Sequence, residues 1–179
     1  MGAKGFCIPE EGHFVNLIVM AHDLNAAAHH FPVINMQYWH HVDIFMMFGT
    51  TPRVATVITV ESCTNWVTLD GAPTTATKIP FKYRAMGTVA APTSQITDGN
   101  DIFSAETAVT VAATGFSPAS AAVDNIVYCI SLNSDQLISG DIGFRLDIAD
   151  PGAACTAVVF AICSGGRYQG AVQESVTKA

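Results

Sequence analysis

The histidines are the first residues to weigh for chemistry. All six, His13, His22, His29, His30, His40 and His41, fall within the first 41 residues. Such clustering invites a metal reading, but the spacing argues against one. A helical metal site sets its ligands at i and i+4 on one face. His29–His30 and His40–His41 are adjacent pairs, whose side chains diverge on a helix or a strand. No cysteine or carboxylate stands at a finger-like interval. We read them as ordinary surface, core or interface histidines and expect no metal site and no cofactor. Asp98-Gly99-Asn100-Asp101 resembles a calcium loop only in composition. It lacks the ladder of oxygen ligands and the distal Glu, and turn chemistry accounts for it.

Nucleophilic catalysis would need a Ser or Cys beside a His and an orienting acid. Those residue types are present, but the chain has no Gly-x-Ser-x-Gly elbow. Glu61, Asp147 and Asp150 fall at or near expected strand ends and read as solvated acids. The remaining candidate is Ser164-Gly165-Gly166-Arg167-Tyr168, which follows the apolar run 157–163. A phosphate cradle of that composition needs a helix N-terminus just after it. No helical pattern follows, and the Gly-Lys-Ser/Thr of a nucleotide loop is absent. The stretch therefore reads as a strand exit: Gly165 and Gly166 let the chain turn, and Arg167 and Tyr168 anchor the tail beyond. Phe6 and Ile8 are the matching interface candidates in the N-terminal arm.

The elements around these residues read as strands and turns. Residues 54–61, VATVITVE, alternate and are β-branched, a strong strand signal. Further strands are expected over 15–20, 42–48, 107–113, 125–132, 142–148 and 156–163, the last being the most buried. A short strand is expected over 65–69, closed by the turn Asp70-Gly71-Ala72-Pro73. In KIPFKYR (78–84), Ile79, Phe81 and Tyr83 share one face, and Pro80 marks an edge position. Helical signal is sparse: one or two turns over 22–30 and a short turn over 134–137. Residues 86–106 read as a long loop. The expectation is an all-β antiparallel sandwich, jelly-roll-like, of about eight strands. It occupies 15–168, with extended arms over 1–14 and 169–179.

Composition narrows the function classes. The chain has 179 residues, half of them apolar and only 13% charged. Ordinary globular chains carry about 25% charged residues, so much of this surface is expected to be covered by partner subunits. A net charge of −7 argues against nucleic-acid phosphates as partners. The longest apolar runs, 15–21 and 44–48, are too short for a membrane helix of about 20 residues, and no signal peptide is expected. Five cysteines with no Cys-x-x-Cys pair fit buried, reduced thiols made in a cytosol.

Three blocks carry a family resemblance: YWHHVDIFMMFGTT (38–51), VATVITVESCTN with ATKIPFKYR (54–65 and 76–84), and CTAVVFAICSGGRYQG (155–170). Between the last two, NIVYCISLNSDQLISGDIGFRLDIADPG (125–152) keeps order and spacing. Together they resemble a family of small head structural proteins of tailed bacteriophages. The resemblance implies a non-enzymatic virion protein that decorates or cements the capsid exterior, with no catalytic residues. It implies the major capsid protein as partner, a homotrimer, and synthesis in the host cytoplasm. An alternative is an exposed sandwich module binding host-surface glycans through Trp39, Trp66 or Tyr168, since Trp and Tyr rings stack on sugars. A hydrolase would instead show a cleft with convergent polar groups.

Overall fold

The computed structural model describes residues 12–24, 28–48, 57–86, 103–118, 127–150 and 156–167. Eleven strands fall in that span: β1 (Gly12–Asp23), β2 (His29–His30), β3 (Ile34–Asn35), β4 (Trp39–Phe48), β5 (Ile58–Cys63) and β6 (Ala76–Ile79). They continue as β7 (Phe81–Met86), β8 (Thr107–Val109), β9 (Val127–Asn133), β10 (Gly143–Ile148) and β11 (Thr156–Gly166). A single 3-10 turn, Ser134–Gln136, follows β9.

The strands form two antiparallel sheets. One runs β1-β11-β4-β9-β7-β8; the other runs β2-β10-β5-β6, with β3 also paired to β10. The pairing is nested. The first strand pairs with the last, β1 with β11. Next inward, β2 and β3 pair with β10, β4 with β9, and β5 with β6. A long hairpin folded over on itself in this way is a jelly roll. Its eight strands are obtained by counting β2 and β3 as one interrupted strand. The β7–β8 hairpin is added at the open side of β9. The expected all-β antiparallel sandwich is the observed fold.

The core lies between the sheets. Val42, Ile44, Met46 and Phe48 of β4 and Val159, Ala161 and Cys163 of β11 face Val60, Phe144, Leu146 and Ile148 of the other sheet. Pro80 stands at the corner where the chain leaves β6 in one sheet and enters β7 in the other. Ile79 and Phe81, on either side of it, are both buried. Phe116 bridges the two sheets at this end. Its backbone pairs with Ile58 at 2.8 and 3.0 Å, and its ring stacks on Tyr83 at 4.1 Å. Gly115 permits that approach: its φ is +55°, and a Cβ there would meet the Ile58 carbonyl oxygen at 2.2 Å.

Several expectations shift. No strand forms over 65–69: that stretch is irregular and turns at Thr68–Gly71, where the Gly71 amide donates to the Thr68 carbonyl. The turn thus starts two residues before the expected 70–73, and Asp70 takes its third position with φ +57°. The single strand expected over 78–84 is two strands in different sheets, divided by Pro80. His29 and His30 are extended, not helical. β1 begins at Gly12, so residues 12–14 belong to the sheet. Residues 1–11, 25–27, 49–56, 87–102, 119–126, 151–155 and 168–179 lie outside the described residues, and with them Phe6, Ile8, Tyr168, Cys7, Cys155 and the Asp98–Asp101 turn.

Candidate functional site

Arg167 stands at one end of the sandwich. Its Nη2 donates to Ser134 Oγ at 2.6 Å, and its amide donates to the Tyr38 carbonyl at 2.8 Å. It borders an open cavity of about 290 Å³, lined also by Met36, Gln37, Leu137 and Asp141. The two glycines before it do not leave the sheet. β11 continues through Gly166, which pairs with Trp39, and Gly165 takes φ +65° within the strand end.

The outer face of the five-strand sheet carries a polar layer. Glu61 and Arg145 sit directly opposite one another on β5 and β10. Both are buried, at 7% and 4% exposure. The Arg145 Nε donates to Glu61 Oε2 at 2.9 Å, its Nη2 binds the same oxygen, and its Nη1 donates to the Gly71 carbonyl at 2.9 Å. The reading of Glu61 as a solvated strand-end acid is therefore corrected. The loop 64–75 folds over this face and dries it, with Val67 packing against Val33 and Cys63. Next along β10, Asp147 is met by His30 Nδ1 at 2.8 Å, Lys78 Nζ at 3.5 Å and the Thr59 hydroxyl at 3.1 Å. His29 Nδ1 lies 3.5 Å from Asp70. The adjacent histidines thus approach different acids, as their spacing requires.

The six-strand sheet repeats that wiring on its own outer face. Asp43 accepts from Ser131 Oγ at 2.6 Å and lies 3.1 Å from His41 Nε2, while His41 Nδ1 contacts Asn133 Oδ1 at 2.7 Å. In both groups an acid sits between a hydroxyl and an imidazole. A catalytic triad needs the imidazole in the middle, so that the base can take the hydroxyl proton. Here Thr59 and Ser131 give their protons to carboxylates and gain no nucleophilicity. Among the described residues, no group of three or more His, Cys, Asp or Glu side chains could hold a metal ion.

The three described cysteines are free and buried. Burial pushes the Cys63 and Cys163 thiols up to about 12 and the Cys129 thiol up to about 11. At Cys129 the neighbouring Asp43 carboxylate adds to the effect. Such thiols are packing groups rather than nucleophiles.

The feature that sequence reasoning missed is apolar. On the outer face of the six-strand sheet, Phe14 of β1 stacks on Phe160 of β11 at 5.2 Å, and Phe160 stacks on Phe45 of β4 at 5.1 Å. Phe103 continues the row, 6.4 Å from Phe45. Phe14 is 56% exposed and Met47 is 38% exposed; Val158, Phe160, Ile162 and Phe45 are half-buried. The strand over 156–163 is expected to be the most buried, but only Ala157, Val159, Ala161 and Cys163 of it face inward. The signal was the missing alternation. A strand of an antiparallel sheet with one solvated face alternates apolar and polar residues; β11 does not, because its second face is apolar too. Trp39, a proposed sugar platform, is fully buried, and Trp66 is half-buried in the loop 64–75. No helix among the described residues is long and apolar enough to cross a membrane.

No family model, curated protein or solved structure matches the chain.

Proposed function

We propose that this chain is a non-enzymatic virion protein. It binds the outer surface of a tailed-phage capsid as a homotrimer, contacts the major capsid protein, and stabilises the shell. The observation that carries this reading is the apolar outer face of the six-strand sheet, in a chain with only 13% charged residues. A surface of that kind gains free energy when a protein partner removes it from water. The jelly-roll winding serves viral coat and lectin domains alike. On this face Phe14, Phe45 and Phe160 neighbour Val158, Ile162 and Met47, with Asn16 opposite Phe160 and Asp43 opposite Ile162, so the rings form a largely apolar row with few polar groups beside it. The acidic balance, −7, keeps such a protein off packaged nucleic acid. Its action is then thermodynamic: binding across subunit junctions adds to the free energy that holds the shell against internal pressure.

The test uses shells of the encoding phage prepared without this protein. The added protein is expected to co-sediment with them and to raise the temperature at which they release DNA. Absence of co-sedimentation, or binding with an unchanged release temperature, overturns the reading.

A further inference from the structure

We infer that the cavity beside Arg167 binds a small carboxylate that also carries a hydroxyl or ammonium donor. The cavity shares no lining residue with the aromatic row, so this site stands apart from the shell contact proposed above.

Charge points to the carboxylate. Five Lys and Arg residues are described. Lys78, Lys82, Arg84 and Arg145 each meet an acid at 3.5 Å or less. Arg167 meets none among the described residues; its side chain donates only from Nη2 to the Ser134 hydroxyl, at 2.6 Å. Its amide is held as well, by the Tyr38 carbonyl at 2.8 Å. A guanidinium fixed at two points, with Nε and Nη1 unused, is a preorganised fork for a carboxylate. Gln37, on the same cavity, adds a second donor. Its Oε1 accepts from Asn35 Nδ2 at 3.3 Å, which leaves its Nε2 for a ligand oxygen.

Asp141 narrows the choice of anion. It lines the same cavity, and its Oδ2 accepts from the Ser62 hydroxyl at 2.5 Å. Ser62 Oγ in turn accepts from the Ile138 amide at 3.1 Å, and the Asp141 amide donates to the Ile138 carbonyl at 2.9 Å, so the acid is held in place. Arg167 and Asp141 form no ion pair with each other, and the space between them is open to a third group. A doubly charged phosphate would set like charge against Asp141. A single carboxylate with a donor satisfies both ends: its oxygens meet Arg167 and Gln37, and its hydroxyl or ammonium meets Asp141 Oδ1. An unpaired charge placed this way rejects the wrong ligand as well as holding the right one.

Size sets the scale. At about 290 Å³ the cavity stands at the lower end of small-molecule sites, about 300–1,000 Å³. That is room for one sugar acid or one amino acid. Met36, Leu137 and Ile142 supply apolar lining for its carbon skeleton.

Isothermal titration of the full chain tests the site with D-glucuronate and L-alanine. The comparison ligands are D-glucose, which lacks the carboxylate, propionate, which lacks the donor, and inorganic phosphate. A Kd on the order of 1 mM is expected for a ligand this small, with the comparison ligands at least tenfold weaker. Glucuronate bound with alanine silent makes the ligand a sugar acid; the reverse makes it an amino acid; both bound supports the shared chemistry. Arg167→Met should weaken binding at least tenfold. Asp141→Asn keeps an acceptor for Ser62 and should abolish the preference over phosphate. Val111→Ser, exposed and outside the cavity, should bind as wild type does. If Asp141→Asn fails to fold, the wild-type comparison of alanine with propionate and of glucuronate with phosphate decides the role of Asp141. Silence from both probes at about 20 mM, far above that constant, overturns the inference. So does a folded Arg167→Met that binds as wild type does, or a comparison ligand that binds as tightly as the probes.

Discussion

Removing Arg145 alone tests the polar layer on the five-strand sheet. Arg145→Met leaves the Glu61 carboxylate buried without its counter-charge, and leaves the Gly71 carbonyl without its donor. Breaking a buried pair by deleting one partner costs about 3–5 kcal/mol. For a chain of this size each kcal/mol moves Tm by about 2–4 °C, so the melting point should fall by roughly 10 °C. The double variant Glu61→Met/Arg145→Met removes both charges. Apolar replacement of a whole buried pair is often neutral or better, and only the charged hydrogen bond to Gly71 is lost, about 1.5–3 kcal/mol. Gly71 is part-exposed, so water can take over some of that bond. The double variant should therefore be more stable than Arg145→Met. Urea unfolding of wild type, both single variants and the double variant under reducing conditions gives the coupling energy directly. The reasoning is refuted if Arg145→Met costs under about 1 kcal/mol, the range of an exposed pair. It is equally refuted if the two single losses simply add.

Two further outcomes follow from the packing. Gly143→Ala would place a Cβ 2.1 Å from the Ile34 carbonyl oxygen, which is backbone and cannot swing aside. It should separate β3 from β10 and lower stability by about 1–3 kcal/mol, read by thermal melting; an unchanged Tm would contradict the close approach. The Cys63, Cys129 and Cys163 thiols titrate above their ordinary 9.0. A raised folded-state pKa gives stability that is complete below pH 9 and is lost as pH rises toward about 12. Denaturation measured between pH 8 and 11 should show that decline, and Cys163→Ala should flatten it. An identical slope in the variant would remove Cys163 as a cause.

The fold was legible where local pattern and long-range packing agree. VATVITVE and the alternating faces of KIPFKYR announce strands, and Ile79 and Phe81 are buried as their spacing implies. The corner at Pro80 was not legible, because the chain changes sheet while both neighbours keep facing the same core. Pairings between distant residues were equally hidden. Glu61 and Arg145 are 84 positions apart and meet only through the β5–β10 register. Seen alone, Glu61 resembles any acid near a strand end. The aromatic row needs three strands from opposite ends of the chain, so no window of sequence contains it. What the sequence did carry was the unbroken apolar run of β11, whose second apolar face was mistaken for core.

The nested winding has a mechanical consequence. Gly12, where the described body begins, is paired with Ser164, three residues before Arg167, where it ends. The described body therefore begins and ends at the same end of one antiparallel ladder. Force applied between those two points opens the β1–β11 ladder like a zipper, loading one rung at a time. Force applied across the sheet faces is shared by every strand at once. A fastening made through the faces will hold against loads that would peel one made through the ends.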